Sequence, residues 1–319
     1  MKINAFYPML FVFTALASCT GYSEIKGNDD TTTKGMITVS CDESLKPLIE
    51  AEQMVFEQLY PNAKINITYC SEAEAVQLML KDSARMAIIT RELTTEETEI
   101  LKKSHISHAR YHKLGYDAIA FILNQANQDT FFSLAQVKSL LSGEFGSWHQ
   151  INKKNTLGKI QLVFDNPSSG AVRFLQDSVL GGKKLGNTSF ALKSNPEVIK
   201  YIQENKNAIG IIGVSWISDK DDSLVSYFLN TIKVAEIQPA LLRVAGITNK
   251  PIQGNIALKQ YPYWRKIIVA SRELREGLGT GFASFMESEP GQKIILKGGL
   301  VPYRSSIRTI EINKNQNLK

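Results

Sequence analysis

Small, polar and charged residues follow four predicted β-strands of this chain, at the points where each strand ends. The four segments span residues 40–44, 70–73, 90–92 and 165–171. Ligands of open α/β sheets bind beyond the carboxyl ends of the strands, so we expect one binding site built from these loops. The candidate ligand-binding residues are Glu43, Ser44, Ser71, Glu72, Thr90, Arg91, Asp165, Ser168, Ser169 and Gly170.

The loop from Asp165 to Gly170 has the composition of an anion-binding turn. Its small residues precede a predicted helix, so backbone N–H groups and the positive end of the helix dipole can face an anion. Ser168 and Ser169 add hydroxyl donors. The alternative is a simple N-cap turn that starts the helix without binding a ligand.

Charged residues in the other loops allow more than one interpretation. Glu43 and Glu72 can bind a cation, accept hydrogen bonds from a ligand, or cap helices. Arg91 can pair with an oxyanion of a ligand, or with either of these glutamates. The residue types alone therefore favour a polar ligand without fixing the sign of its charge.

The sequence has no catalytic, metal or cofactor motif beside these loops. His105, His108 and His112 have a spacing that could hold zinc on one helical face. That segment leads into a predicted strand and lacks a helical apolar stripe, so we expect a solvated loop and no metal. Neither Gly-x-Ser-x-Gly nor His-Glu-x-x-His occurs, and Ser169 has no paired base at a recognisable spacing. We expect a protein that is not an enzyme and has no cofactor.

Alternating strands and helices must position the loops. Strands are predicted at residues 36–40, 64–69, 86–90, 116–124, 161–164, 209–216 and 267–271. Helices are predicted at residues 44–60, 73–81, 134–141, 171–179 and 197–204, from residue 94 or 95, and from residue 281 to a break near Pro290. This alternation is typical of parallel βαβ units, and a length of 319 residues allows two hydrophobic cores. The fold class is therefore predicted to be α/β with two lobes.

The N-terminus has the pattern of an export signal. Lys2 precedes an apolar stretch over residues 6–17, which is too short to span a bilayer but suits a signal peptide. The stretch ends in Leu-Ala-Ser-Cys19, which matches a bacterial lipobox. We predict a signal peptide over residues 1–18, a lipidated Cys19 and a flexible tether to residue 34, which together make an exported lipoprotein. The alternative is an ordinary signal peptide with a chance cysteine.

Two further cysteines each follow a predicted strand. Cys41 and Cys70 form an even pair in an oxidising compartment. If the two strands are parallel neighbours, the thiols lie at the same edge of the sheet. They either form a disulfide or remain as two free, partly buried thiols.

The charge of the chain is mildly basic and evenly scattered. The formal net charge is +6, and lysine and arginine often neighbour acidic residues. No basic block with interleaved aromatic residues occurs, which disfavours nucleic-acid binding. We expect a monomer that meets a membrane through its lipid anchor.

Several segments in consecutive order resemble the PstS-like phosphate-binding proteins of ABC importers. The likeness covers roughly residues 36–303. It rests on Ile37–Leu48, Ala87–Glu97, Gly115–Asn124, Leu134–Trp148, Ala208–Gly213, Tyr261–Arg265 and Pro290–Pro302. The resemblance implies a periplasmic-binding-protein type II fold, in which two α/β lobes are joined by two crossing strands and close on an oxyanion. It also implies an ABC permease as partner.

Lobe boundaries also follow from the resemblance. The first lobe is expected at residues 35–113 with 266–310, the second at residues 114–265, and a polar tail at residues 311–319.

The binding loops depart from the family pattern in a consistent direction. The pattern Arg-x-x-x-Ser-Gly-Thr falls on Asp165, Ser169, Gly170 and Ala171, so the arginine is replaced by an acid. Glu43 and Glu72 also stand where the family has donors. A dianion there would meet repulsion unless an acid is protonated or Arg91 or Arg173 compensates for its charge. Two functions therefore stay open: capture of phosphate or a related oxyanion, or an altered cleft for another polar or cationic ligand or a protein partner.

Overall fold

The computed structural model describes residues 30–239 and 248–304. The predicted signal peptide, Cys19, most of the tether and the polar tail lie outside these residues. Among the described residues, no helix combines the length and apolarity needed to cross a membrane.

Strands and helices alternate along the chain. The first part contains β1 (Gly35–Asp42), α1 (Lys46–Leu59), β2 (Ala63–Cys70), α2 (Glu72–Leu80), β3 (Met86–Ile89), α3 (Thr95–Lys103) and β4 (Arg110–Asn124). The middle part contains β5 (Phe131–Phe132), α4 (Leu134–Ser142), α5 (Trp148–Ile151), β6 (Gln161–Phe164), α6 (Gly170–Ser178), β7 (Ser189–Ala191), α7 (Asn195–Glu204), β8 (Ala208–Gly213), α8 (Ser223–Thr231), β9 (Ile232–Val234) and β10 (Glu236–Ile237). The last part contains α9 (Gln253–Ala257), β11 (Trp264–Ser271), α10 (Leu278–Glu287), α11 (Glu289–Lys297) and β12 (Val301–Pro302). Two 3₁₀ turns lie at Glu43–Leu45 and Val214–Trp216.

Most predicted elements lie where the sequence pattern put them, and the differences have local causes. The helix predicted from Ser44 begins at Lys46, because Asp42 accepts the Ser44 N–H and caps a 3₁₀ turn first. The strand predicted to end at Trp216 ends at Gly213 and continues as the second 3₁₀ turn. Pro290 occupies the first turn of α11, where a proline is tolerated, and so starts a helix.

Strand β4 is longer than predicted and includes one of the three spaced histidines. It begins at Arg110 because its polar first residues pair with β11. The prediction of a solvated loop is therefore wrong for His112, whose Nδ1 lies 2.9 Å from Glu287 Oε2.

One sheet runs through two lobes, as the predicted two-lobed α/β fold requires. The strand order is β2-β1-β3-β11-β4-β8-β6-β7, with β9 and β12 also paired to β4. Strands β1, β2 and β3 are parallel and belong to lobe 1, whereas β6, β7 and β8 are parallel and belong to lobe 2. The first part of β4 pairs with β11 and its second part with β8, so β4 crosses from one lobe to the other.

Apolar residues from both lobes form a continuous core. The larger cluster includes Val39 of β1, Phe121 of β4 and Ile211 of β8, all essentially unexposed. A smaller cluster lies between α2, α3 and the opposite face of β3. Burial of these faces fixes the sheet and holds the strand ends at one edge.

The two cysteines lie on adjacent parallel strands but face opposite sides of the sheet. Cys41 is in register with Tyr69, so Cys70 is one residue further along and points the other way. Cys41 packs in the larger core, whereas Cys70 packs against the smaller one. Both thiols are free, so the alternative with a disulfide is wrong.

Asp30 holds the start of the described chain against lobe 1. Its carboxylate pairs with Arg85, accepts from Arg275 Nη2 at 2.6 Å, and accepts the Leu278 N–H at the start of α10 at 2.7 Å. Arg85 and the Leu278 N–H keep the pKa of Asp30 below its usual value despite the opposing effect of burial. The chain is therefore fixed several residues before β1 begins.

Candidate functional site

The four predicted loops meet at the junction between the lobes, around Gly170. The Gly170 N–H, in the first turn of α6, donates to Asp42 Oδ2 at 3.1 Å. A Cβ atom on Gly170 would overlap that oxygen and would lie 2.9 Å from both Glu72 Oε1 and Thr90 Oγ1. Only glycine allows this approach. We call the carboxyl groups of Asp42, Glu43, Glu72 and Asp165, with the side chains that contact them, the interlobe cluster.

Glu72 lies at the end of the interlobe cluster where a carboxylate is paired with a cation. Its Oε1 accepts from the Thr90 N–H at 2.8 Å, and its Oε2 accepts from Arg173 Nε at 2.5 Å. Burial raises the pKa of Glu72, but the Arg173 charge and the hydrogen bonds from Arg173 and Thr90 bring it below its usual value. Arg173 lies in lobe 2 and Glu72 in lobe 1, so this ion pair bridges the lobes.

Arg91 is a second guanidinium at the Glu72 end of the cluster, and it pairs with carboxylates of the same chain. Its guanidinium makes two hydrogen bonds to Glu97, at 2.7 and 2.8 Å, and its Nε lies 3.6 Å from Glu72 Oε2. Of the two glutamates considered for Arg91, the structure pairs it with Glu72.

Glu43 and Asp165 form the opposite end of the cluster, with an amide between them. The Asn195 Nδ2 group donates to Glu43 Oε2 and, at 3.4 Å, to Asp165 Oδ2. Burial raises the pKa of Glu43 to about 7, and the Asn195 amide only partly opposes it. Burial also raises the pKa of Asp165, whose Oδ1 is buried without a hydrogen-bond partner.

Asp42 lies between the two ends and is fully buried. Its Oδ1 accepts the Ser44 N–H at 3.1 Å, and its Oδ2 lies 3.9 Å from Arg265 Nη1. Burial raises the pKa of Asp42 to about 7; Arg265 opposes this, whereas Glu72 and Asp165 reinforce it.

Arg265 stands at the junction of the two crossing strands. On β11 it is in register with Asp117 of β4, and its Nε and Nη2 donate to Asp117 Oδ2 at 3.0 and 2.7 Å. Nη2 also donates to Ser44 Oγ at 2.7 Å, whereas Nη1 is buried without a hydrogen-bond partner. Burial raises the pKa of Asp117 despite its arginine partner.

The predicted serine donors act mainly as helix caps. Ser71 Oγ accepts the Glu74 N–H at the start of α2, and Ser169 Oγ accepts the Val172 N–H at the start of α6. Ser168 is exposed, and its carbonyl accepts the Ala73 N–H at 3.3 Å across the lobes. The N-cap alternative therefore describes the hydroxyls of Ser71 and Ser169.

A cavity of about 990 Å³ lies away from the cluster. Its lining includes Ile232, Ile252 and Leu296, and none of the four carboxyl groups of the cluster. Its volume would hold a small ligand, but the loops that converge from both lobes mark the interlobe cluster as the candidate site.

Comparison with known proteins agrees with the fold. The profile of the PBP superfamily domain matches residues 27–290. The chain belongs to the PBP superfamily. Among curated relatives of this PBP chain, a protein from Borreliella burgdorferi named "Phosphate-binding protein PstS" is 23% identical over 276 residues, covering 83% of this chain and 89% of that protein. A protein of the same name from Staphylococcus aureus strain MRSA252 is 23% identical over 310 residues, covering 94% and 90%. The resemblance to PstS-like proteins is thereby confirmed.

Solved structures share the fold. A protein from Clostridium perfringens, described as a substrate-binding protein of a phosphate ABC transporter with bound phosphate, matches with a TM-score of 0.70 and 23% identity. That match covers 84% of this chain and 99% of the other. An ABC-type phosphate transport receptor from Vibrio cholerae matches with a TM-score of 0.62 and 21% identity, covering 84% and 100%.

Sequence reasoning located the loops of this PBP chain but missed three of the side chains that organise the site. Asp42 lay within the first loop but was passed over for its two neighbours. Asn195 gave only the signal of a helix start beside Pro196. Arg265 belonged to a segment that carried the family resemblance, and no spacing linked it to Ser44, which lies 221 positions away in the sequence.

Proposed function

We propose that this chain is the solute-binding component of a phosphate-type ABC importer, and that it encloses phosphate or a related oxyanion between its lobes. The names of the curated relatives and the phosphate in the Clostridium perfringens structure support the ligand. An ABC permease would receive the solute. The role is binding and delivery rather than catalysis.

The contact between Gly170 and Asp42 is the observation that carries this proposal. A backbone N–H in the first turn of a helix donates to an anionic group there, at the point where loops of both lobes meet. Helix N-termini are suited to anions because their N–H groups are free and the helix dipole is positive. Arg265 and Arg173 add guanidinium groups, which pair well with oxyanions.

Calorimetric titration of phosphate-free protein tests the proposal. We expect phosphate to bind with micromolar or tighter affinity. Gly170→Leu should abolish binding, because a side chain there would overlap Asp42, Glu72 and Thr90. Gly254→Leu is the matched control, since a Cβ at Gly254 meets nothing within 4 Å. Failure of the unaltered protein to bind any tested oxyanion would contradict the proposal.

An altered cleft is a second candidate, favoured by the charges of the interlobe cluster. Asp42 and Asp165 are buried and Glu43 is partly buried. Within the described residues, Asp42 is the one of these three with a guanidinium nitrogen closer than 4 Å, at 3.9 Å. A cationic or neutral polar solute would meet less repulsion there than a dianion would. Displacement of a bound amine by phosphate would favour the first candidate, whereas amine binding without phosphate binding would favour the second. Binding of a protein partner that survives Gly170→Leu would indicate an interaction role outside the cleft.

We further propose that Cys19 anchors the exported protein to a membrane. The motive is the Leu-Ala-Ser-Cys19 pattern after a signal-like segment. Cys19→Ser should abolish incorporation of a clickable fatty acid and release the protein from the membrane fraction. Cys70→Ser should change neither, because that thiol lies in the folded body.

The lobe boundaries at residues 113/114 and 265/266 are likewise a proposal. They fall in β4 and β11, the two strands that join the lobes. We also propose a monomer, which light scattering of the purified chain would test.

A further inference from the structure

The Asp42 carboxylate has the surroundings of a bound oxyanion. One oxygen accepts the Gly170 N–H from the first turn of α6, and the other accepts the Ser44 N–H from the loop after β1. A guanidinium nitrogen of Arg265 lies 3.9 Å away. A helix N-terminus, a loop N–H and an arginine are the groups that bind phosphate or sulfate in proteins.

A second observation at this position concerns Arg265. The residue is 2% exposed, and its Nη1 atom is buried without a hydrogen-bond partner. Nε and Nη2 are used by Asp117 and Ser44, so Nη1 retains an unused donor beside Asp42. A buried guanidinium donor without a partner is costly, and an oxyanion in place of the Asp42 carboxylate could satisfy it.

We propose that Asp42 occupies the anion position of this cleft with its own carboxylate and competes there with the solute. This inference rests on the proposed function and makes Asp42 the residue that sets the affinity and selectivity of the site. A solute anion would bind only where the Asp42 carboxylate has moved away or has lost its charge.

The groups that face Asp42 favour such competition. Arg265 of β11 is the cation near Asp42, and Asp117 of β4 already shares it. Glu72 of α2 and Asp165 of the loop after β6 add negative charge, and Arg173 of α6 is paired with Glu72. A charged Asp42 and a bound dianion therefore cannot both be neutralised by these groups.

Asp42→Asn separates the charge of Asp42 from its structural role. The amide Oδ1 can still accept the Ser44 N–H and cap the 3₁₀ turn. The amide nitrogen is a donor and cannot accept the Gly170 N–H, so that N–H and Arg265 become available to the solute. We expect at least tenfold tighter binding of both sulfate and phosphate at pH 8, measured by calorimetry.

Asp221→Asn is the matched control, because it makes the same chemical change on a side chain that is 75% exposed. Its affinity for sulfate and phosphate should equal that of the unaltered protein. Asp42→Ser, which also removes the charge, is a second variant in case the asparagine variant does not fold. The melting temperature of each variant without anion reports folding.

The outcomes distinguish this inference from the proposed function. If the unaltered protein binds phosphate and neither folded Asp42 variant binds more tightly, Asp42 does not compete and the inference is overturned while the function stands. If neither the unaltered protein nor the variants bind any oxyanion, the proposed function fails and the inference fails with it.

The pH dependence of sulfate binding is a second test, because the charge of sulfate is constant between pH 6 and 8. The affinity of the unaltered protein for sulfate should rise about tenfold as the pH falls over that range, since the pKa of Asp42 is about 7. The same affinity in Asp42→Asn should change less, and an equal change in both proteins would overturn the inference.

Discussion

The two ends of the interlobe cluster hold buried carboxyl groups in opposite ways. At the Glu72 end, guanidinium and backbone donors surround the carboxylate, and the pKa falls below its usual value. At the Glu43 end, an asparagine amide is the main donor, and the pKa rises to about 7. Since burial raises the pKa at both ends, the difference comes from the neighbouring cation. The Glu72 end therefore stays charged at neutral pH and fastens the lobes, whereas the Glu43 end changes charge near neutral pH.

Glu52 extends this comparison to a carboxyl group without any partner. It is fully buried on α1, and neither of its oxygens has a hydrogen-bond partner. Burial raises its pKa to about 9 from an ordinary 4.5. Because the folded state favours the protonated form, its contribution to stability is fully present below about pH 4.5 and is lost as the pH rises towards 9.

The largest effect is expected from Glu52→Met at pH 8. Replacing the buried acid by an apolar side chain of similar size should increase the free energy of unfolding by roughly 2–4 kcal/mol at pH 8 and by less at pH 5. Urea denaturation at both pH values measures this. Glu50→Met, on the exposed face of the same helix, should change stability by less than about 0.5 kcal/mol. A loss of stability in Glu52→Met at pH 8 would contradict the assignment of Glu52 as an unpaired buried acid.

Arg173→Met would remove the cation on which the comparison depends. Breaking a buried ion pair leaves an uncompensated charge, so we expect a loss of about 3 kcal/mol at pH 7. Asp177→Asn is the control, because Asp177 is the exposed partner of the same arginine, and it should cost less than about 0.5 kcal/mol. Equal losses in the two variants would show that the Glu72 pair does not fasten the lobes.

Glu43→Gln tests the direction of the pKa shift at the Glu43 end of the interlobe cluster. The folded pKa of Glu43 is raised from 4.5 to about 7, so its contribution to stability is present below about pH 4.5 and is lost as the pH rises towards 7. The amide should therefore stabilise the protein by roughly 1–3 kcal/mol at pH 8 and have little effect at pH 5. Glu72→Gln should do the reverse and destabilise at pH 8, since the folded pKa of Glu72 is lowered. Effects of the same sign in both variants would remove the contrast between the two ends.

Ser71→Ala should have the smallest effect. The Ser71 hydroxyl caps α2 by accepting the Glu74 N–H at 3.3 Å, and loss of an N-cap typically costs about 1 kcal/mol. Chemical denaturation measures the change. Ser71→Asp, which can also accept this N–H, should restore most of the stability, and its failure to do so would show that the hydroxyl has another role.

Local pattern predicted the strands and the loops, because both depend on residues that are close in the sequence. Strand β6 was found by its short apolar run, and α4 by its N-cap and the glycine that ends it at a φ of 79°. The convergence of the loops followed from the rule for strand ends in open sheets. The first residues of β4 were missed because they are polar and gain their partner only from β11.

The contacts inside the site could not be read from local pattern. Asp42 and Gly170 are 128 positions apart in the sequence, and Glu43 and Asn195 are 152 apart. No periodicity links such residues, and the family pattern does not predict the contacts of Asp165, where an acid replaces the family's arginine. The sequence therefore indicated which loops meet, whereas the pairing of acids with cations or amides needed the structure.

Asp30 determines where mechanical load enters the molecule. Its contacts with Arg85, Arg275 and the start of α10 all belong to the same lobe as β1. Tension applied at Asp30 therefore reaches lobe 1 first. Lobe 2, which supplies Gly170 and Arg173, takes no part in these contacts, so a pull on Asp30 is not applied directly across the interlobe cluster.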